Sequence, residues 1–297
     1  MSISRRDLLR GFGLASAAAG TAGVASAARA AGGVHVPQGF PGRYGLLHDT
    51  TLCVGCRSCE VACRSVNDLP AGEPGVGDMS VFADKRRTTD TALTVVNRYE
   101  THEGVEVFRK QQCMHCNEPC CASACLVGAF TKTPEGPVLY DESVCIGCRY
   151  CVMACPYYAL AYEYEDPLEP KVVRCTMCYD RIVEGGVPGC AEACPNGAIT
   201  FGKREDLIKL ARERMRKFPG RSIDHIFGEH EFGGTSWLVT AGAELHEIGL
   251  PENVTHAALP DIGTRFRGVV PLAGTIDPGL LAGFYAFTKR RERVSEA

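Results

Sequence analysis

The chain has 297 residues, 45% of them hydrophobic, a formal charge of −3 and 17 cysteines. Its length allows one large or two small domains, and its mildly acidic balance excludes nucleic-acid binding driven by basic charge. Residues 1–30 hold Arg5, Arg6, Arg10 and Arg29 against Asp7, so their removal leaves a still more acidic remainder.

The N-terminus reads as a targeting segment rather than as part of the fold. Ser4-Arg5-Arg6-Asp7-Leu8-Leu9-Arg10 has the form of a twin-arginine signal. A Gly/Ala-rich stretch follows from Gly11 to Ala28, and Ala28-Arg29-Ala30 is an A-x-A cleavage site. Residues 1–30 are therefore expected to be a signal peptide, the alternative being an amphipathic N-terminal helix. Twin-arginine export carries proteins already folded and loaded with cofactor. The mature chain is expected on the periplasmic side of the inner membrane. Assembly in the reducing cytoplasm would protect the thiols from periplasmic oxidants. Residues 31–48 form a Gly/Pro-rich lead-in.

Sixteen of the cysteines fall into four runs of four between residues 49 and 204. The first run is Cys53-x2-Cys56-x2-Cys59-x3-Cys63. An insertion over 64–112 follows, polar and Gly/Pro-bearing up to residue 93. Within it, Thr94–Tyr99 and Val105–Phe108 predict a hairpin closed around Glu103-Gly104. The second run is Cys113-x2-Cys116-x4-Cys121-x3-Cys125, the third Cys145-x2-Cys148-x2-Cys151-x3-Cys155-Pro156, and the fourth Cys175-x2-Cys178-x11-Cys190-x3-Cys194-Pro195. The third is the full bacterial ferredoxin pattern. Sixteen thiolates suffice for four [4Fe–4S] clusters, and a row of clusters moves single electrons. Three cysteines of such a run wrap one cluster, and the fourth ligates the cluster of a partner run. Val54-Gly55 and Ile146-Gly147 occupy equivalent places, where glycine helps the loop turn. Every run ends in C-x3-C. That step selects Cys121 over its neighbour Cys120, which reads as a small buried apolar residue.

The runs are an internal repeat. Cys125-Leu-Val-Gly-Ala129-Phe130, Cys155-Pro-Tyr-Tyr-Ala159-Leu160 and Cys194-Pro-Asn-Gly-Ala198-Ile199 share alanine at the fourth position and an apolar residue at the fifth. Each unit predicts a ligand loop, a short helical turn and a strand, and two units make one two-cluster module. The fold class expected is α+β: tandem ferredoxin-like modules with a C-terminal extension over 205–265. Residues 205–218 predict an amphipathic helix with Leu207, Leu210 and Ala211 on one face. Its basic side reads mainly as a solvated face, and touching an acidic partner is the sharper alternative. Residues 266–288 are long enough to cross a bilayer and sit between Arg265 and a basic tail over 289–297. The flanking charges would keep the C-terminus cytoplasmic. Asp277-Pro278-Gly279 interrupts the segment, so a peripheral tail lying against a partner is the alternative to a membrane anchor.

Other chemistries fit less well. Structural zinc takes two C-x2-C pairs far apart, a pattern met only by the fourth run. Disulfide frameworks serve small domains. No dinucleotide, Walker, zincin or nucleophile-elbow motif is present, so no nucleotide partner and no catalytic residue is expected. His115, between Cys113 and Cys116, is placed to hydrogen-bond near a cluster and tune its potential rather than to ligate it. His225 and His230 read as surface-loop residues.

The runs, with Leu47-His-Asp-Thr-Thr-Leu-Cys53-Val-Gly-Cys56, Gln112-Cys113-Met-His-Cys116, Cys148-Arg-Tyr-Cys151-Val-Met-Ala-Cys155-Pro-Tyr, Gly186-Val-Pro-Gly-Cys190 and Gly233-Gly234-Thr235, resemble a family. It is the four-cluster ferredoxin subunits of membrane-bound respiratory oxidoreductases. The family includes the β subunits of formate dehydrogenase-N and dimethyl sulfoxide reductase. The nearest resemblance is to the electron-transfer subunit of [NiFe] hydrogenase-2. It spans roughly residues 45–290. It implies four [4Fe–4S] clusters, a hydrogenase-like catalytic partner and an integral membrane, quinone-reactive partner. It also implies a pairing of runs: Cys53, Cys56 and Cys59 with Cys194; Cys175, Cys178 and Cys190 with Cys63; Cys113, Cys116 and Cys121 with Cys155; Cys145, Cys148 and Cys151 with Cys125. Arg64 and Leu126 depart from the proline that often follows the last cysteine. The β subunit of a molybdoenzyme or of a sulfur-metabolising membrane complex is an alternative, and so is a soluble polyferredoxin carrier.

Overall fold

A computed structural model describes residues 42–72, 75–166, 171–252, 254–261, 278, 279, 281–286, 288 and 289. The expected signal peptide and most of segment 266–288 lie outside these residues. Among the described residues no helix is long and apolar enough to cross a membrane. Val36–Pro260 forms one compact unit, and Met1–His35 with Asp261–Ala297 a second. The sites below belong to the first.

A four-stranded sheet organises that unit. Strand β1 (Tyr44–Asp49) runs parallel to β10 (Trp237–Thr240) and antiparallel to β8 (Ile199–Lys203). Strand β9 (Ile226–Phe227) pairs antiparallel with β10. The order across the sheet is therefore β8-β1-β10-β9. The lead-in thus ends in a central strand. The C-terminal extension supplies two of the four strands rather than forming an appendage.

Side chains alternate across a strand, and this sheet buries both faces. Leu47 and Leu238 face helix α6 (Arg204–Lys217), whose Leu207, Ile208 and Ala211 close a core with Ile226. Leu46, Trp237 and Val239 face the opposite way, into the larger core with Met114, Met177 and Cys190. His48, two residues after Leu46 on β1, is fully buried. The helix falls where the sequence pattern put it. Its basic side is largely a solvated face, with Lys209, Arg212, Arg216 and Lys217 exposed, while Arg214 pairs with Asp49 at 3.3 Å and Arg212 with Glu229.

The predicted hairpin is β2 (Val95–Glu100) paired with β3 (Glu106–Gln111), closed through Thr101–Val105. Helix α1 (Ser58–Val66) packs against it through a buried ion network. Glu60 accepts from Arg57 Nε at 3.3 Å, from Arg86 Nη2 at 2.5 Å and from the Val96 N–H at 2.5 Å. The insertion after the first run is therefore part of the core, where Val81 and Phe82 are also buried.

The repeat is visible as geometry. Helix α2 (Cys120–Ala124) leads into β4 (Phe130–Lys132), which pairs with β5 (Val138–Tyr140). Helix α3 (Tyr150–Ala154) leads into β6 (Ala161–Tyr162), which pairs with β7 (Val172–Val173). Helices α4 (Tyr179–Val183) and α5 (Gly189–Glu192) lead into β8. Ala129, Ala159 and Ala198 are all buried, as are Phe130, Leu160 and Ile199.

Candidate metal centres

The second and third residues of each run form a tight loop. The residue before the second cysteine takes the left-handed conformation in all four: Gly55 (φ 70°), His115 (φ 47°), Gly147 (φ 68°) and Met177 (φ 58°). Such a turn aims successive backbone N–H groups at the first cysteine. The Met177 N–H donates to Cys175 Sγ at 3.3 Å and the Gly147 N–H to Cys145 Sγ at 3.5 Å. The Ala129 N–H donates to Cys125 Sγ at 3.2 Å, at the other end of its run. N–H groups aimed at sulfur stabilise thiolate and lower the cost of the anionic ligand.

A side chain at Gly55 would meet the Phe108 ring at 2.5 Å, on a backbone already at positive φ. Gly55→Ala is expected to destabilise the protein by roughly 1–2 kcal/mol from the left-handed conformation alone. Displacement of Phe108 adds to that. A thermal melt of the iron-loaded protein checks it, and an unchanged melting temperature would contradict it.

All seventeen cysteines are free of disulfides. Cys53, Cys56, Cys59 and Cys194 line one cavity of about 370 Å³, with His48 and Lys110 in the same wall. Burial pushes the Cys53 thiol up to about 11, and Cys194 and Cys56 add to the rise. Burial likewise lifts Cys63 to about 11, with Cys190 and Cys178 as its sulfur neighbours. Burial raises Cys175, which feels Cys63, Cys190 and Cys113. Burial raises Cys121, which feels Cys113, Cys155 and Cys120, and Cys116, beside Cys113, Cys121, Cys155 and Cys120. Cys151 is lifted to about 11 by burial, then by Cys145, Cys125 and Cys148. Cys120 also stands near Cys155 but is only partly buried, whereas Cys121 is buried.

These neighbours bring the sulfurs together in fours, each four drawing its members from two runs. Burial disfavours the bare thiolates, and thiolate is the form that binds metal, so loading is coupled to folding. Among the described residues no three Cys, His, Asp or Glu side chains converge on a single metal-ion position. A cubane makes a different demand, one thiolate for each of four irons around a shared volume. The cavity lined by four sulfurs suits that donor set.

The fours are linked. Cys59 interacts electrostatically with Cys190, and Cys175 with Cys113. At the far end Cys148 is exposed, and Ile146, Tyr150 and Met153 stand exposed around it. His115 is fully buried beside the second run, where its Nδ1 accepts from the Val138 N–H at 3.0 Å. His225 and His230 are exposed on the surface, paired with Glu231 and Glu229.

Three features escape sequence reasoning. Lys110 is buried and Lys132 half-buried near cysteines, and His48 lines the sulfur cavity. Aligning the four runs on C-x2-C would have matched His115 and Met177 with the two glycines. No pattern in the chain marks Lys110.

Residues 105–204 match the family model of the 4Fe-4S dicluster domain. A protein of Nitratidesulfovibrio vulgaris is 47% identical over 295 residues, covering 99% of this chain and 79% of the relative. The hydrogenase-2 operon protein HybA of Escherichia coli O157:H7 is 34% identical, covering 86% of each chain. The iron–sulfur subunit of the nitrate-inducible formate dehydrogenase of Escherichia coli K12 is 32% identical, covering 81% of this chain and 80% of its own.

Proposed function

The chain belongs to the iron–sulfur electron-transfer subunits related to HybA and to the formate dehydrogenase iron–sulfur subunits, and from that premise we propose that it relays electrons through four [4Fe–4S] clusters. The donor sets are Cys53, Cys56, Cys59 and Cys194; Cys63, Cys175, Cys178 and Cys190; Cys113, Cys116, Cys121 and Cys155; and Cys125, Cys145, Cys148 and Cys151. The observation that carries this reading is the convergence of Cys53, Cys56, Cys59 and Cys194, from the first and last runs, on one cavity. Each cluster, once bound, accepts and passes one electron at a time.

What the protein contributes is spacing, burial and hydrogen bonding to sulfur. The links between Cys59 and Cys190 and between Cys175 and Cys113 support one row. It runs from the first-run site through the Cys63/Cys175 site and the Cys113 site to the Cys145 site. The exposed apolar rim around Cys148 supports a docking face for a partner at that last site.

In our reading the partners are a periplasmic catalytic subunit of [NiFe] hydrogenase type and a quinone-reactive membrane subunit. Export follows the twin-arginine route, and residues 266–288 anchor the C-terminus. The HybA likeness favours the hydrogenase partner. Anaerobic detergent extraction and pull-down of the tagged full chain, with mass spectrometry of what accompanies it, tests the arrangement. A hydrogenase large subunit with a multi-span membrane protein is the expected result. A molybdenum catalytic subunit would transfer the wire to a formate dehydrogenase-like complex. Recovery of the chain alone, without need of detergent, would make it a mobile carrier.

A further inference from the structure

Two lysines, Lys110 buried and Lys132 half-buried, stand near cysteines and use their donors differently. Lys132 Nζ gives its hydrogen bonds to protein oxygens: His115 O at 2.9 Å, Ser236 Oγ at 3.1 Å and the Gly136 carbonyl. Burial is the main influence on it and brings its pKa down to about 7. Lys110 is only 2% exposed, and among the described residues the oxygen it reaches is Gln112 Oε1 at 3.3 Å. Its ammonium also lies 4.5 Å from the centre of the Trp237 ring. A buried ammonium with one neutral acceptor and one ring face is poorly compensated. Lys110 lines the cavity of Cys53, Cys56, Cys59 and Cys194, and Cys190, Cys175, Cys59 and Cys63 are its electrostatic neighbours.

His48 stands in the same cavity wall. It is fully buried, and among the described residues neither ring nitrogen has a hydrogen-bond partner. Buried polar groups without partners are rare and costly. An imidazole always carries at least one N–H to donate. Strand β1 fixes its direction: Leu46 points into the same core, and Leu47 points away to α6. The cavity that receives this ring is the one lined by Cys53, Cys56, Cys59 and Cys194.

We propose that Lys110 and His48 are potential-setting residues, Lys110 for the sites of Cys53/Cys56/Cys59/Cys194 and Cys63/Cys175/Cys178/Cys190, and His48 for the first of these alone. Lys110 places a fixed positive charge where reduction adds negative charge. His48 donates a hydrogen bond to sulfur, which strengthens as that sulfur gains charge. Both favour the reduced form, so both raise the potential of this end of the row. The electron that reduces these sites comes from a neighbouring site or a redox partner, and no proton need move.

This inference rests on the cluster reading above, and the experiment separates the two. Full-length chain, purified anaerobically in its complex, is titrated with dithionite while EPR follows each reduced cluster. Lys110→Met should lower two of the couples by at least tenfold in the reduction equilibrium, which is 59 mV for one electron. Lys110→Arg should restore them. His48→Leu should lower one of those two couples, and His48→Gln, which keeps a donor, should return most of the shift. The remaining couples should not move. Variants with full iron and unmoved couples would overturn the assignment of Lys110 and His48 alone. A shift of every couple together would overturn that assignment too. A wild-type chain without iron would overturn the cluster reading and the assignment with it.

Discussion

Replacing Cys175 by alanine should stop electron flow through the protein while leaving its fold recognisable. Cys175 is buried, its sulfur accepts from the Met177 N–H, and it interacts with Cys63 and Cys190 on one side and Cys113 on the other. It stands at the junction of two sulfur fours. A cluster that loses one thiolate is lost or converted to a form of different potential. In the proposed row, electrons cannot bypass the gap. Changes in the shell outside a metal's ligands already cost about 10–100-fold in affinity or activity, and loss of a ligand in mid-row should cost at least that in turnover of the complex. Iron per chain and hydrogen- or formate-dependent quinone reduction are the measurements. Cys120→Ser is the control. Cys120 is partly buried at the start of α2 beside the fully buried Cys121, and its loss should leave iron and turnover unchanged. Wild-type turnover in Cys175→Ala would contradict the row, and iron loss in Cys120→Ser would move the ligand from Cys121 to Cys120.

Glu60→Ala should be the most destabilising substitution outside the cysteines. Glu60 is 2% exposed and accepts from Arg57, from Arg86 and from the Val96 N–H. Removing one member of a buried charge network leaves the others uncompensated, at about 3–5 kcal/mol. The consequence reaches the sites, because α1 carries Cys59 and Cys63 to two different fours. Its attachment to β2 runs through this carboxylate. Glu60→Gln keeps the shape and an acceptor and should lose less. Glu106→Ala, which breaks an exposed pair with Arg98, should cost only about 0–1 kcal/mol. Thermal melts of the three iron-loaded variants give the order. Equal melting temperatures for Glu60→Ala and Glu106→Ala would show that the network does not hold α1 in place.

Much of the site was legible because its chemistry is local in sequence. The C-x2-C and C-x3-C steps, the glycines at 55 and 147 and the alanines at 129, 159 and 198 are short-range features, and each has a visible place in the loops. The hairpin at 95–111 and the helix at 204–217 carry patterns of period two and of about 3.6. What stayed hidden depends on residues far apart in the chain. The parallel pairing of β1 with β10 joins Leu46 to Trp237, and no local pattern specifies it. That pairing makes the lead-in and the extension parts of one sheet. Lys110 reads as an ordinary polar residue on a strand. Only the fold brings Cys59, Cys63, Cys175 and Cys190 around it. The left-handed turns at His115 and Met177 were obscured by side chains that seldom adopt that conformation.

The central claim is that sixteen cysteines hold four cubanes in a row. Iron and acid-labile sulfide per chain, measured on anaerobically purified full-length protein, test it most directly, with EPR after dithionite reduction. Four clusters require about 16 irons and about 16 sulfides per chain, with reduced [4Fe–4S] signals showing magnetic interaction between neighbours. Half that content, or zinc in place of iron, would contradict the account.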